Sequence, residues 1–105
     1  TQALQFYRMT TQMSSGKEGA EAQYMIGKML REQKNYEAST TELIKVRNNY
    51  ESYTDWIYKA FLLVADNYIN IDNTFQAKAT LQSIIDNSVD PEVVMQAKER
   101  LAKIN

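Results

Sequence analysis

The chain contains no cysteine and no histidine. Without cysteine there is no thiol nucleophile, no disulfide and no thiolate metal ligand. Without histidine, the commonest zinc ligand and the side chain that titrates near neutral pH are missing as well. The redox compartment stays open, because a cysteine-free chain is at ease in either. Helix breakers are scarce, with three glycines and one proline in 105 residues. Apolar β-branched residues do not alternate with polar ones, so strands are disfavoured and helices favoured. There is no surplus of one charge: 12 basic against 13 acidic residues leave a net charge of -1. That balance offers no electrostatic footprint for nucleic acid or an anionic membrane. No apolar run approaches the ~18 residues of a spanning helix, and no signal-peptide pattern is present.

What is present is enough apolar material, 44% of residues, for one packed domain. The periodicity is helical throughout. Ala3, Phe6 and Tyr7 make one face of a first helix, with Thr1-Gln2 expected to fray and Gly16 placed to end the segment in the left-handed conformation. Ala22, Met25, Ile26, Met29 and Leu30 form the stripe of a second helix over 17–33. After a turn at Lys34-Asn35, a third helix runs from Tyr36 to Asn49, with Ala38, Leu43, Val46 and Tyr50 inward. Glu42 and Lys45 suggest an ion pair on its wet side. The longest connection follows, and either Ser52 or Thr54 could cap the next helix.

That fourth helix, Trp56 to Ile71, is the most apolar. Trp56, Ala60, Leu63, Val64 and Ile71 can face neighbours, while Phe61, Leu62 and Ile69 widen the stripe until it should be enclosed on two sides. Asp72-Asn73 turns the chain into a fifth helix, Thr74 to Asn87, that buries Ala77, Leu81, Ile84 and Ile85. Asp90-Pro91-Glu92 is the strongest start signal: an N-cap, a proline at the first helical position and an acid at the positive end. Val94, Ala97, Leu101 and Ile104 then form a narrow stripe on a last helix.

The helices repeat. Ala22, Ala60 and Ala97 correspond, as do Ile26, Val64 and Leu101, and Gly27, Ala65 and Ala102. The intervening helices match at Ala3, Ser39 and Ala77, at Tyr7, Leu43 and Leu81, and at Thr10, Val46 and Ile84. The period is about 37 residues, in the range of helical-hairpin arrays. Small residues recur where helices must approach closely, and large ones where they fill space.

No enzyme chemistry stands out. Glu18, Glu21, Glu32, Glu37 and Asp66 could pair as acids, and Asp72, Asp86 and Asp90 could bind a metal. All fall at turns or on wet helix faces without ligand spacing, and solvated surface is the stronger reading. The aromatic residues could form a stacking platform, but stacking on nucleic acid needs interleaved basic residues. Core packing suits Tyr7, Tyr36, Tyr68 and Phe75 better, and leaves Tyr24, Tyr53 and Tyr58 open. Met25 and Met29 read as core filler rather than an adaptable surface.

The small and large positions resemble those of the tetratricopeptide repeat family. Ile26-Gly27-Leu30 with Tyr36, Ser39, Leu43 and Val46 match one copy. Val64-Ala65-Tyr68 with Ala77, Leu81 and Ile84 match the next. The chain then divides into a half repeat at 1–15, full repeats at 17–50 and 53–88, and a capping helix at 90–105. The units run longer than the family's usual length, the closing proline is missing, and Ser39 replaces alanine. The longer unit resembles the variety found in bacterial cell-envelope proteins, which would imply a periplasmic or envelope location.

The resemblance implies an all-α, right-handed superhelical array of about six helices. It implies a noncatalytic scaffold that holds a protein or peptide segment in its concave groove. The groove positions are Glu21, Tyr24, Lys28 and Arg31 from one unit, and Lys59, Leu62, Asp66, Ile69 and Asn70 from the next. The same positions could simply be exposed, or be buried against neighbouring repeats. The family's carboxylate clamp, which needs Lys and Asn where this chain has Tyr24, Lys28, Leu62 and Leu63, is not implied. No cofactor, metal, nucleic acid or membrane insertion is expected. Opening on Thr1, the chain reads as the C-terminal part of a longer array. Self-association through the first helix, as an assembly module or homodimer, is the alternative function.

Overall fold

The computed structural model describes residues 1–104; the expected end of the last helix at Asn105 lies outside them. Six helices follow one another: α1 (Gln2–Met13), α2 (Lys17–Glu32), α3 (Tyr36–Asn49), α4 (Thr54–Asn70), α5 (Thr74–Asn87) and α6 (Pro91–Ile104). No strand occurs among the described residues, and no helix there is long and apolar enough to cross a membrane. Each helix packs against the next. In addition α2 packs against α4 and α4 against α6, whereas the backbones of α1, α3 and α5 stand apart from one another, α1 reaching α3 through the Arg8–Glu42 ion pair. The outcome is an array of hairpins in two helix layers, 40 × 28 × 19 Å, the shortest dimension being about two helix diameters.

The local signals act mostly as expected, with informative exceptions. Asp90 Oδ1 accepts from the Glu92 amide at 3.0 Å, and Pro91 opens α6. Thr1 is not frayed: its hydroxyl caps α1 by accepting from the Leu4 amide at 3.2 Å. Gly16 is not left-handed but extended, at φ −99°. The start of α2 is satisfied from outside by Ser14 Oγ, which accepts from the amides of Gly16 and Gly19 at 3.1 and 3.3 Å. Neither Ser52 nor Thr54 caps α4: Tyr53 holds the cap position with no side-chain hydrogen bond.

The two hairpin turns are built alike. Lys34 and Asp72 are the only non-glycine residues with positive φ among those described, at 63° and 60°. Beyond each, the next amide reaches back to close the turn, Asn35 to the Leu30 carbonyl at 2.9 Å and Asn73 to the Tyr68 carbonyl at 2.8 Å. Both are Schellman closures without the usual glycine. They stand one repeat apart, so the periodicity of the side chains extends to the backbone.

Two contacts set how closely helices approach. A Cβ on Gly27 would collide with Leu43 Cγ and Cδ2, so only glycine lets α3 lie that near α2. Ala65 and Leu81 meet in the corresponding α4–α5 contact, in a cluster with Leu62, Ile84, Val93 and Ala97. A second cluster joins α3 and α4 through Leu43, Val46, Ile57, Ala60 and Val64. At Gly19 a Cβ would stand 2.7 Å from Tyr50 Cε1; the phenol there donates to the Ser14 carbonyl at 3.1 Å and hooks α3 back onto the α1–α2 turn.

Several expected core residues lie elsewhere. Phe75 is 80% exposed, Ile71 46% and Phe6 64%, and Ala3 is also in solvent. The face that α1 turns to α2 carries Leu4, Tyr7 and Thr11, each half-buried, a slightly different strip of the same helix. In α6 it is Val93, not Val94, that is buried with Ala97. Ile57 and Asn67 are buried without having been singled out.

Asn67 is the more telling. Fully buried, it donates to Ser39 Oγ and Thr40 Oγ1 at 3.0 Å each, and accepts from Arg31 at 2.8 Å. Ser39 in turn donates to the Gly27 carbonyl at 2.7 Å. The serine that departs from the family's alanine is therefore a link in a chain joining α2, α3 and α4. Asn67→Ala should cost about 1–3 kcal/mol and Ser39→Ala somewhat less, with the double variant costing less than their sum. Chemical denaturation of all three decides it; strict additivity would mean the two residues are not coupled.

Glu42 is not on a wet face. It is buried at 9% exposure, where Gln23 Nε2 donates to both its carbonyl and its carboxylate at 2.9 Å. Lys45 stands 3.1 Å away as expected, and Arg8 of α1 stands 3.6 Å away. Burial pushes the carboxyl up, but the hydrogen bonds from Gln23 and Lys45 and the charges of Lys45 and Arg8 outweigh it, so it is held below its ordinary value. A group depressed in this way stabilises the fold above its unfolded pKa, and that contribution is lost as pH falls through the folded value. Between about pH 7 and about pH 3 the wild type should lose more stability than Glu42→Gln, measured by denaturation midpoints. Parallel curves for the two proteins would rule out a stabilising role for this carboxylate.

Candidate functional site

The layer of α2, α4 and α6 presents a continuous face, and its main depression is a cleft of about 470 Å³. Leu62, Leu63, Val93 and Tyr24 supply the apolar lining, and Lys59, Arg100, Gln96, Asp90 and Glu92 the polar one. The first turn of α6 closes one end, held in place by its Asp90 cap. A neighbouring depression of about 390 Å³ continues along α4 and α6, between Asp66, Ile69, Arg100 and Lys103. The opposite layer has a smaller hollow of about 250 Å³ where α3 and α5 stand apart over α4, lined by Ile44, Phe61, Val64 and Tyr68 with Arg47 as its single charge. Arg47 lies over the Phe61 ring at 5.6 Å.

The expected groove residues all fall on α2 and α4, but they differ in what they are free to do. Glu21, Lys28 and Asn70 are exposed, as is Lys59. Lys59 Nζ sits 4.7 Å from the centre of the Trp56 ring, and the Tyr24 ring packs against the same Trp56 with centroids 5.4 Å apart. Tyr24, Lys59 and Leu62 thus come together at one cleft. Leu62, however, is 5% exposed and belongs to the core under α6, so it is cleft floor and not a projecting anchor. Arg31 is committed inside the protein: it donates to Asn67 and Asn70 at 2.8 Å each and lies over the Tyr36 ring at 5.7 Å. Ile69 is half-buried in the second depression.

Asp66 is committed as well. Arg100 of α6 grips it with two hydrogen bonds, Nε to Oδ1 at 2.7 Å and a terminal nitrogen to Oδ2 at 3.0 Å. This fork geometry is the strongest form of the pair. The bonds to Asp66 raise the Arg100 guanidinium further, against the opposing effect of burial. Tyr24 lies within reach of both charges. Burial raises its phenol most, Arg100 lowers it and Asp66 raises it, with a net upward shift. The phenol is therefore a neutral donor at physiological pH.

The α6 contribution, Arg100 and Gln96 above all, was absent from the expected groove. The repeat was a sufficient signal: carried one period past Lys59 and Leu63, it lands on Gln96 and Arg100. Treating the last helix only as a cap hid them.

No protein-family model matches this chain, and neither a curated protein nor a solved structure is significantly similar to it. The resemblance to tetratricopeptide repeats therefore rests on residue pattern alone.

Among the described residues no group of three or more acidic side chains gathers to hold a metal ion. What the inner face offers is shape, a mixed rim and one well-made ion pair that fastens α6 to α4. Removing either partner leaves the other half-buried and unmatched. In a double-mutant cycle, Asp66→Asn and Arg100→Gln should couple by about 1 kcal/mol, and each should speed amide exchange in α6 before α2. A coupling of zero would make the pair ornamental.

Proposed function

We propose that this chain is a noncatalytic scaffold of the tetratricopeptide type that holds a protein segment on the inner face of α2, α4 and α6. The observation that carries this reading is the cleft of about 470 Å³ between α2, α4 and α6, where an apolar floor is flanked by charges from α4 and from the start and middle of α6. Such a surface suits a segment with an apolar anchor flanked by charges, because burial supplies affinity and the rim sets orientation. The long repeat unit further suggests a bacterial envelope protein.

The residues that act are only in part the ones the pattern alone would choose. Arg31 and Asp66 are occupied by internal bonds, so the remaining determinants are the exposed Lys59 and, half-buried beside it in the cleft, Gln96, Leu63 and Tyr24. Affinity capture from the source cell, with identification of the bound proteins, supplies the partner. Lys59→Glu with Gln96→Glu should then weaken its binding by at least about 1.4 kcal/mol, a factor of about ten, without changing helicity. Asn48→Ala with Gln82→Ala, both exposed on the other layer, should leave binding intact. If the second pair abolishes binding and the first does not, the partner uses the outer layer.

A further inference from the structure

The first and last described helices, α1 and α6, carry complementary halves of an interface that occurs twice between them. At one end, α1 buries no residue and leaves Phe6 64% and Met13 82% exposed. At the other, α6 leaves Met95 59% exposed, with Lys98 and Ala102 also in solvent. The repeat register states what each face is shaped to meet.

Inside the molecule, the receiving position is a small residue on the first helix of a hairpin. It is Gly27 in α2, pressed against Leu43 of α3, and Ala65 in α4, clustered with Leu81 of α5. The same register in α6 is Ala102, and no described helix lies on it. The inserting position is Leu43 in α3 and Leu81 in α5, and its counterpart in α1 is Tyr7. The polar contact beside it also has counterparts. Gln23 of α2 bonds to Glu42 of α3; in the same registers stand Lys98 on α6 and Phe6 on α1. A lysine opposite a phenylalanine is a cation–π match, as Gln23 opposite Glu42 is a hydrogen-bonding one.

We propose that α1 of one copy docks on α6 of another as α3 docks on α2, joining copies of this chain head to tail. The contact is heterologous, so it builds open chains unless the rotation between successive copies closes a ring. It uses the ends of the array and is independent of the cleft reading. One helix pair is a small interface, and the association is correspondingly weak.

Sedimentation velocity of the chain from about 10 μM to about 1 mM tests this, since weak contacts of this size populate that range. The wild type should sediment faster as concentration rises. Phe6→Asp and Ala102→Arg, both at exposed positions, should each raise the apparent dissociation constant at least tenfold while keeping full helicity by circular dichroism. Ala3→Glu, in the register of Ser39 and Ala77, should act like Phe6→Asp and guards against an effect peculiar to that residue.

The deciding measurement is the mixture. Phe6→Asp keeps a sound α6 face and Ala102→Arg keeps a sound α1 face. Together they can form one junction and no more, giving a species of twice the 12.1 kDa monomer mass. Such a dimer from two variants that are each monomeric supports the head-to-tail junction. A wild type that stays monomeric at the highest concentration overturns it. So does an Ala102→Arg protein that still dimerises, because pairing would then run through α1 on both sides. A mixture that stays monomeric while the wild type associates overturns it too.

Discussion

A single buried amide holds the architecture in register. Asn67 of α4 has no access to water and takes its hydrogen-bond partners from two other helices, Arg31 on α2 and Ser39 and Thr40 on α3. An amide left unmatched in such a place costs on the order of 1–3 kcal/mol, a large share of a small domain's stability. Sliding α4 along the α2–α3 hairpin by one residue would turn this side chain away from its partners. Apolar packing tolerates some sliding, because hydrophobic contact is non-directional. The hydrogen bonds of Asn67 do not. They therefore choose one placement of α4 among those the apolar stripes would accept.

From that placement the inner face follows. With α4 fixed on α2, Lys59 and Tyr24 both come to lie against Trp56, and Asp66 is carried round to where α6 can reach it. Arg100 then fastens α6 by its bidentate grip, and the turn from Asp90 onward closes the cleft. Ion pairs at a surface contribute little, but this one is only partly exposed and its geometry is a matched fork. The same charges that line the face also build it. Arg31 and Asp66, which on pattern alone look like binding residues, are thus engaged in internal bonds.

Steric constraint does for the hairpins what Asn67 does for their stacking. Gly27 admits Leu43 and Ala65 admits Leu81, and beside each the chain turns through a residue in the left-handed region, Lys34 or Asp72. A non-glycine residue there carries a conformational cost of about 1 kcal/mol, offset by the two backbone bonds that close each turn. The unit is thus defined by a close approach and a tight turn, repeated. In the same registers the first and last described helices hold Tyr7 and Ala102.

The sequence by itself determined the elements and their kind. Helical period, scarce breakers, the Asp90-Pro91 start and the recurring small residues at Gly27, Ala65 and Ala102 are local or simply periodic, so they can be counted along one chain. Six helices, the two hairpin turns and most of the core at Ile26, Leu43, Val46, Val64, Leu81 and Ile84 were legible in this way. The tertiary structure decided which polar residues are inside and what they bind. Glu42 looked like a solvated partner of Lys45 until Gln23 and Arg8 were brought over it, and Phe75 looked like core until no helix came to cover it. The candidate site divides in the same way. Its address on α2 and α4 could be read from the repeat, but the occupation of Arg31 by Asn67 and of Asp66 by Arg100 joins residues more than thirty positions apart. Burial and hydrogen bonding depend on distance in space, and a period along the chain says which faces meet without saying which polar atoms find each other when they do.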